Sequence, residues 1–214
     1  MKLGTPPFIL NLCSASISIA LINRLGFYGG DFAIGAYGIV SRIYMLFSMI
    51  IIGLAVGMQP IIGYNFGAGL TERVDKAMNT GLTIASAFMF SVFLLCEIAA
   101  DPIIRLFSNE IALNDIAITG LRVCAWTFPV MAMQTMITNF FQSIGKPKTS
   151  IVLSLIRQIG FFIPLIFLLP EMFDLRLDGV WLSIPMADFI ACILTVSIYL
   201  RYRQRTKSFV TGAI

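Results

Sequence analysis

Residues 33–63 read AIGAYGIVSRIYMLFSMIIIGLAVGMQPIIG and contain a single charged side chain, that of Arg42. A bilayer core about 30 Å thick requires roughly 20 apolar residues of helix. In lipid, backbone N–H and C=O groups must find partners within their own segment, which a helix provides and an open sheet does not. The stretch therefore predicts a membrane-spanning helix.

Five further apolar stretches fill most of the rest of the 214-residue chain. We predict spans at about 7–28, 33–63, 78–100, 116–141, 150–169 and 180–200, in a single six-helix domain covering residues 1–200. Residues 201–214 form a basic tail. The expected fold class is all-α, a polytopic membrane bundle of six transmembrane helices.

Composition and charge support this architecture. Charged residues make up 12% of the chain, against about a quarter in a typical soluble domain. The segments between spans alternate in sign, with a basic side that includes Arg73, Lys76, Lys146 and Arg203 and an acidic side that includes Glu171. Because basic loops stay in the cytoplasm, both termini are expected there.

Several function classes are excluded or disfavoured. The chain has no histidine, so Ser-His and Cys-His catalysis is ruled out. Its four cysteines, Cys13, Cys96, Cys124 and Cys192, each fall inside a span with no close pair, which disfavours a metal site. The net charge of +4 follows the membrane pattern rather than indicating nucleic acid. We therefore expect no enzyme, no metal and no nucleic-acid partner.

Ionisable residues inside spans are costly in lipid and are candidates for function. We single out four of them, namely Arg42, Glu97, Arg157 and Asp188. Arg157 and Asp188 lie on the last two spans, which are antiparallel and joined by a short loop. We hypothesise that they form an ion pair. Its role is either structural, locking the two spans together, or participation in ion or substrate transfer.

Neutral polar residues follow single helix faces of the first and fourth spans. Ser14 lies near Asn11 on one face, and Thr138 lies four residues after Gln134 on another. Such stripes form either interhelical hydrogen bonds or the wall of a polar cavity. For the cavity reading we name Asn11, Ser14, Gln134, Thr138 and the neighbouring Met133, because methionine repacks easily around bulky molecules.

The second span also carries small residues and a proline. Gly53 and Gly57 are spaced for close helix approach, as Gly67 is with Gly63. Pro60 removes a backbone hydrogen bond and is expected to kink the helix. We interpret Gly53, Gly57, Pro60 and Gly67 as hinge and close-packing positions.

Several ordered motifs resemble one transporter family. Residues 53–69, GLAVGMQPIIGYNFGAG, strongly resemble the eighth helix and following loop of multidrug and toxic compound extrusion (MATE) transporters. Further similarity covers FQSIGKPK at 141–148, LIRQ at 155–158 with Ile163 and Pro164, GVW at 179–181 and PMAD at 185–188. LGTP at 3–6 and YGGD at 28–31 are similar to the start of that family's second lobe.

The resemblance implies a proton- or sodium-coupled exporter of cationic and amphipathic drugs in the bacterial inner membrane. Such transporters have two six-helix lobes around a central cleft and work by alternating access. This chain resembles the second, C-terminal lobe. The first and fourth spans contain no acidic residue, so we expect the H+ or Na+ site in the absent first lobe and no other cofactor. The partner is then that missing lobe or a second copy.

Two alternatives remain open at this point. The same superfamily includes flippases of lipid-linked oligosaccharides, whose cavities need cations to hold pyrophosphate; Arg42, Arg122 and Arg157 are the candidates here. A non-transporting membrane remnant or assembly partner is the other alternative.

Overall fold

The computed structural model describes the backbone of residues 5–172 and 174–211, with side chains for 11–172 and 174–204. These residues are helical apart from short turns, as the sequence predicts. The elements in chain order are α1 Thr5–Gly67, α2 Thr71–Ile98, α3 Ala100–Arg105, α4 Ile111–Ala125, α5 Thr127–Ser143, α6 Pro147–Leu155, a π-helix Ile156–Phe162, α7 Ile163–Met172 and α8 Arg176–Thr211. Leu3 and Gly4, and the tail side chains after Gln204, lie outside the described residues.

The long run α1 consists of two helical arms, residues 5–29 and 31–67. Gly30 separates them, with φ 65° and ψ −159°, a backbone region that essentially only glycine adopts. The arms run side by side in opposite directions, since a Cβ at Gly26 would lie 3.1 Å from the Ile34 side chain and residues farther from the turn on both arms, Ser14 and Tyr44 among them, line one cavity. The chain therefore reverses at the glycine-rich turn.

Among the described residues, four helices are long and apolar enough to cross a bilayer, or five if the bent pair α4 and α5 counts as one span, and dividing the first of them at Gly30 makes six segments. They lie in the two arms of α1, in α2, in the unit formed by α6, the π-helix and α7, in α8, and in the pair α4 and α5. That pair is bent by 45°, at Trp126. The structure thus confirms the all-α bundle of six spans.

Two helices extend beyond the predicted spans. The charged segment before residue 78 is already helical, because α2 begins at Thr71. At the other end, α8 continues to Thr211 through most of the basic tail. The domain limit at residue 200 stays a prediction.

Gly53, Gly57 and Gly67 make no close packing contact within the described chain, and close packing at these positions stays a prediction. An added Cβ at each of them would meet open space, because these residues lie on an exposed face of α1. Pro60 is exposed on the same arm, and the only non-helical backbone angles within α1 are those at Gly30. A hinge role for Pro60 stays a prediction. Close approaches occur at other glycines, among them Gly120, where a Cβ would lie 2.7 Å from the buried Trp181 ring.

Polar and aromatic contacts fasten the two ends of the bundle. At the basic end, Arg203 pairs with Asp75 of α2 at 2.9 Å, and the Lys146 ammonium lies 4.2 Å from the centre of the Tyr202 ring. At the opposite end, Arg24 pairs with Glu171 at 3.3 Å. The residues that the sequence assigned to one side of the membrane thus meet at one end of the fold. Which end faces the cytoplasm stays a prediction.

Candidate substrate cavities and their ion pair

The helix that carries Arg157 has a π-helical turn from Ile156 to Phe162. Pro164 follows it and has no N–H to donate to the carbonyl of Gly160, so the regular α-helical ladder is interrupted there. π-helical turns are rare, widen the helix locally and occur frequently at functional sites. This turn sets the direction of Arg157 and its neighbour Gln158.

Arg157 and Asp188 are in direct contact. Arg157 Nη1 donates a hydrogen bond to Asp188 Oδ1 at 3.0 Å. The two side chains differ in exposure, since 33% of the Arg157 side chain is exposed and only 3% of the Asp188 side chain. The carboxylate is therefore enclosed, while the guanidinium reaches open space. The structural or coupling role of the pair stays a prediction.

The first of two cavities beside the pair has a volume of about 280 Å³. Both arms of α1 form one wall, and α4, the π-helix and α8 form the rest. Its polar lining residues are Ser14, Ser18, Tyr37, Ser41, Tyr44, Cys124, Arg157, Gln158 and Asp188; its apolar ones are Ile17, Leu21, Val40, Phe162 and Ile184. Both arms of α1, the π-helix and α8 thus each contribute polar and apolar side chains to the lining.

The second cavity has a volume of about 330 Å³ and lies between the second arm of α1, α5, α6, the π-helix and α8. Gln134, Thr135, Thr138 and Asn139 contribute its α5 side. Tyr44, Arg157 and Gln158 line both cavities. These three side chains form the wall that the cavities share, and we call them the shared wall.

The structure divides the five residues predicted for a substrate cavity. Ser14 lines the first cavity, whereas Gln134 and Thr138 line the second. Asn11 and Met133 are exposed and line neither of these two cavities. Because adjacent helix positions are about 100° apart, Met133 cannot share the inward face of Gln134.

Sequence reasoning missed Tyr44 and Gln158 as cavity residues. Tyr44 lies in an apolar run, where a tyrosine is an ordinary core residue, and no spacing marked it. A polar residue next to Arg157 was a usable signal for Gln158. The polar stripes also form interhelical bonds, as Gln59 Nε2 donates to Asn139 Oδ1 at 2.7 Å.

The other arginines named for a phosphate-binding cavity lie elsewhere. Arg42 is exposed and lines neither of the two cavities. Arg122 lines a surface groove with Glu97 and Trp126. Of the three arginines, Arg157 is the one in these two cavities.

Comparison with known proteins identifies the family of this architecture. The MatE family model matches residues 6–168. The multidrug export protein MepA of Staphylococcus aureus (strain N315) is 27% identical over 210 residues, which cover 95% of this chain and 44% of that protein. MepA of Staphylococcus haemolyticus (strain JCSC1435) is 27% identical over 204 residues. These relatives are transporters rather than enzymes.

Solved structures show the same fold in one half of their chains. An inward-facing multidrug resistance MATE family transporter superposes with a TM-score of 0.89 at 21% identity, over 100% of this chain and 48% of that one. A transporter of the MOP superfamily from Pyrococcus furiosus gives 0.86 at 21% identity, over 97% and 46%. The chain thus spans about half the length of the proteins it matches, as one lobe. With a family model covering most of its length, the chain belongs to the MatE family.

Proposed function

We propose that this chain is the second lobe of an ion-coupled multidrug exporter in the bacterial inner membrane. The main support is the similarity to multidrug export proteins. The alignment covers 95% of this chain but only 44% of the relative, which is about the length of one lobe. The exporter carries amphipathic compounds, organic cations among them, by alternating access. The complementary lobe or a second copy supplies the other side of the cleft.

The coupling ion, H+ or Na+, binds mainly outside this chain in this proposal. The first arm of α1 and helix α5 carry no carboxylate. Asp188 lines the first cavity but is engaged by Arg157 at 3.0 Å. The cavities within the lobe therefore contribute to substrate binding rather than to a self-sufficient coupling site.

An efflux assay in the source organism tests this proposal. Cells loaded with ethidium are energised, and dye loss is compared between the parent and a strain lacking the gene that encodes this chain. We expect faster loss in the parent, abolished by a protonophore if H+ is the coupling ion or by a Na+ ionophore if Na+ is. Equal efflux and equal drug tolerance in both strains would contradict the proposal.

An immunoblot of the same cells tests whether both lobes belong to one polypeptide or to separate chains. An antibody against residues 201–214 should detect a band at about twice the calculated 23.6 kDa if both lobes belong to one polypeptide. A band at the calculated mass directs the search to a partner chain or to a second copy of this one. A deletion that causes lipid-linked oligosaccharide to accumulate, without changing drug efflux, would instead favour a flippase.

A further inference from the structure

The charge that faces the two cavities is positive. Arg157 and Asp188 are the charged residues among the described side chains that line them. The exposed fraction is 33% for the Arg157 side chain and 3% for that of Asp188. Arg157 lines both cavities, whereas Asp188 lines only the first and is much the less exposed of the two.

The guanidinium has capacity for another acceptor. It carries five N–H donors and stays protonated in proteins. Asp188 Oδ1 accepts from Nη1, which holds the group in place. A second carboxylate can add to the remaining donors without breaking this bond. A cationic ligand, by contrast, has to displace Arg157 before it reaches Asp188.

The rest of the lining suits an amphipathic molecule. Beside the shared wall, the first cavity has the apolar side chains Ile17, Leu21 and Phe162. Each cavity, at about 280 Å³ and about 330 Å³, is near the lower end of the range for small-molecule sites. A flat apolar body can pack on these side chains while its acidic group meets Arg157.

We infer that the shared wall is a binding site for the anionic end of an amphipathic molecule, a carboxylate on an apolar body. This inference rests on the proposed function and narrows it. Organic cations are then bound by other parts of the transporter, and this lobe prefers amphipathic acids. Asp188 acts as a positioning residue that holds the guanidinium towards the cavities.

Two naphthalene probes of opposite charge test the inference. Binding of 2-naphthylacetate and of 2-(2-naphthyl)ethylammonium is measured by equilibrium dialysis with the full-length natural protein in lipid nanodiscs. Empty nanodiscs provide the correction for partitioning into lipid. One charge-assisted hydrogen bond discriminates by about tenfold or more, so we expect the carboxylate to bind at least about tenfold more tightly. Equal affinities, tighter binding of the ammonium, or no binding of either probe would overturn the inference.

A neutral double variant tests whether the Arg157–Asp188 pair causes the preference for the carboxylate probe. R157Q combined with D188N removes both charges and keeps a polar contact, and we expect it to bind the two probes equally. R105Q, at an exposed arginine away from both cavities, is the matched control and should keep the preference. If the double variant still prefers the carboxylate probe, Arg157 is not the source of the preference. The comparison of the two probes in the unmodified protein needs no variant, so it remains a test even if the double variant does not fold. Ethidium efflux is measured separately, so loss of the exporter function and loss of the anion preference are distinguishable.

Discussion

Two of the ion pairs of α8 place the same chemistry in different surroundings. Arg157 and Asp188 meet inside the bundle at 3.0 Å, with side chains that are 33% and 3% exposed. Arg203 and Asp75 meet at the basic end at 2.9 Å, with 28% and 27% exposed. The distances are nearly equal, but only one of the four groups is fully enclosed. We therefore expect burial of the carboxylate, rather than contact distance, to determine how much each pair contributes to stability.

The largest effect is expected for R157Q, which leaves the enclosed Asp188 carboxylate without its cation. Removing one partner from a buried pair costs about 3–5 kcal/mol. We expect a strongly reduced yield of folded protein, measured as the monodisperse fraction after gel filtration in detergent. A yield equal to that of the unmodified protein would show that the pair does not stabilise the fold.

A smaller loss is expected for D188N, because the remaining guanidinium is one-third exposed. A hydrogen-bonding group that loses its partner costs about 1–3 kcal/mol. The melting temperature in detergent should therefore lie between those of R157Q and the unmodified protein. The R157Q and D188N double variant should recover stability relative to R157Q. Failure to recover would mean that Arg157 is needed for packing as well as charge.

At the basic end, D75N should destabilise the fold by about 1 kcal/mol or less, since partly exposed pairs contribute little. The effect should shrink further as salt is raised from 0.15 M to about 1 M, because the screening length falls from about 8 Å to about 3 Å. Melting curves at the two salt concentrations provide the measurement. A loss of stability as large as that caused by R157Q would contradict the expectation that burial of the carboxylate determines how much a pair contributes.

The smallest effect is expected at the exposed pair of Arg105 and Asp101, whose side chains are 68% and 48% exposed. Such pairs four residues apart on a helix contribute about 0.3–0.5 kcal/mol. R105Q should therefore melt within error of the unmodified protein. A clear drop would reveal a contact of Arg105 beyond its pairing with Asp101.

The fold and the ion-pair contact could be predicted from the sequence for a clear reason. Span length follows from bilayer thickness, and Arg157 and Asp188 are isolated charges on antiparallel neighbours. The π-helical turn and the inclusion of Tyr44 in the shared wall could not be predicted, because both depend on how helices pack around an interrupted backbone ladder. The partner of Gly53 and Gly57 could not be predicted for a related reason: their spacing is compatible with close packing but does not identify what packs against them.

Gly30 also determines the sidedness of every segment that follows it. At 1.5 Å per residue, residues 5–67 as one straight rod would extend about 95 Å, roughly three bilayer cores. Such a rod would cross the membrane once instead of twice, and each later segment would point the opposite way. The loops that now lie at one end of the bundle would then lie at the other, and the first cavity would lose one of its walls. The turn at this one glycine thus determines the direction in which every later segment runs.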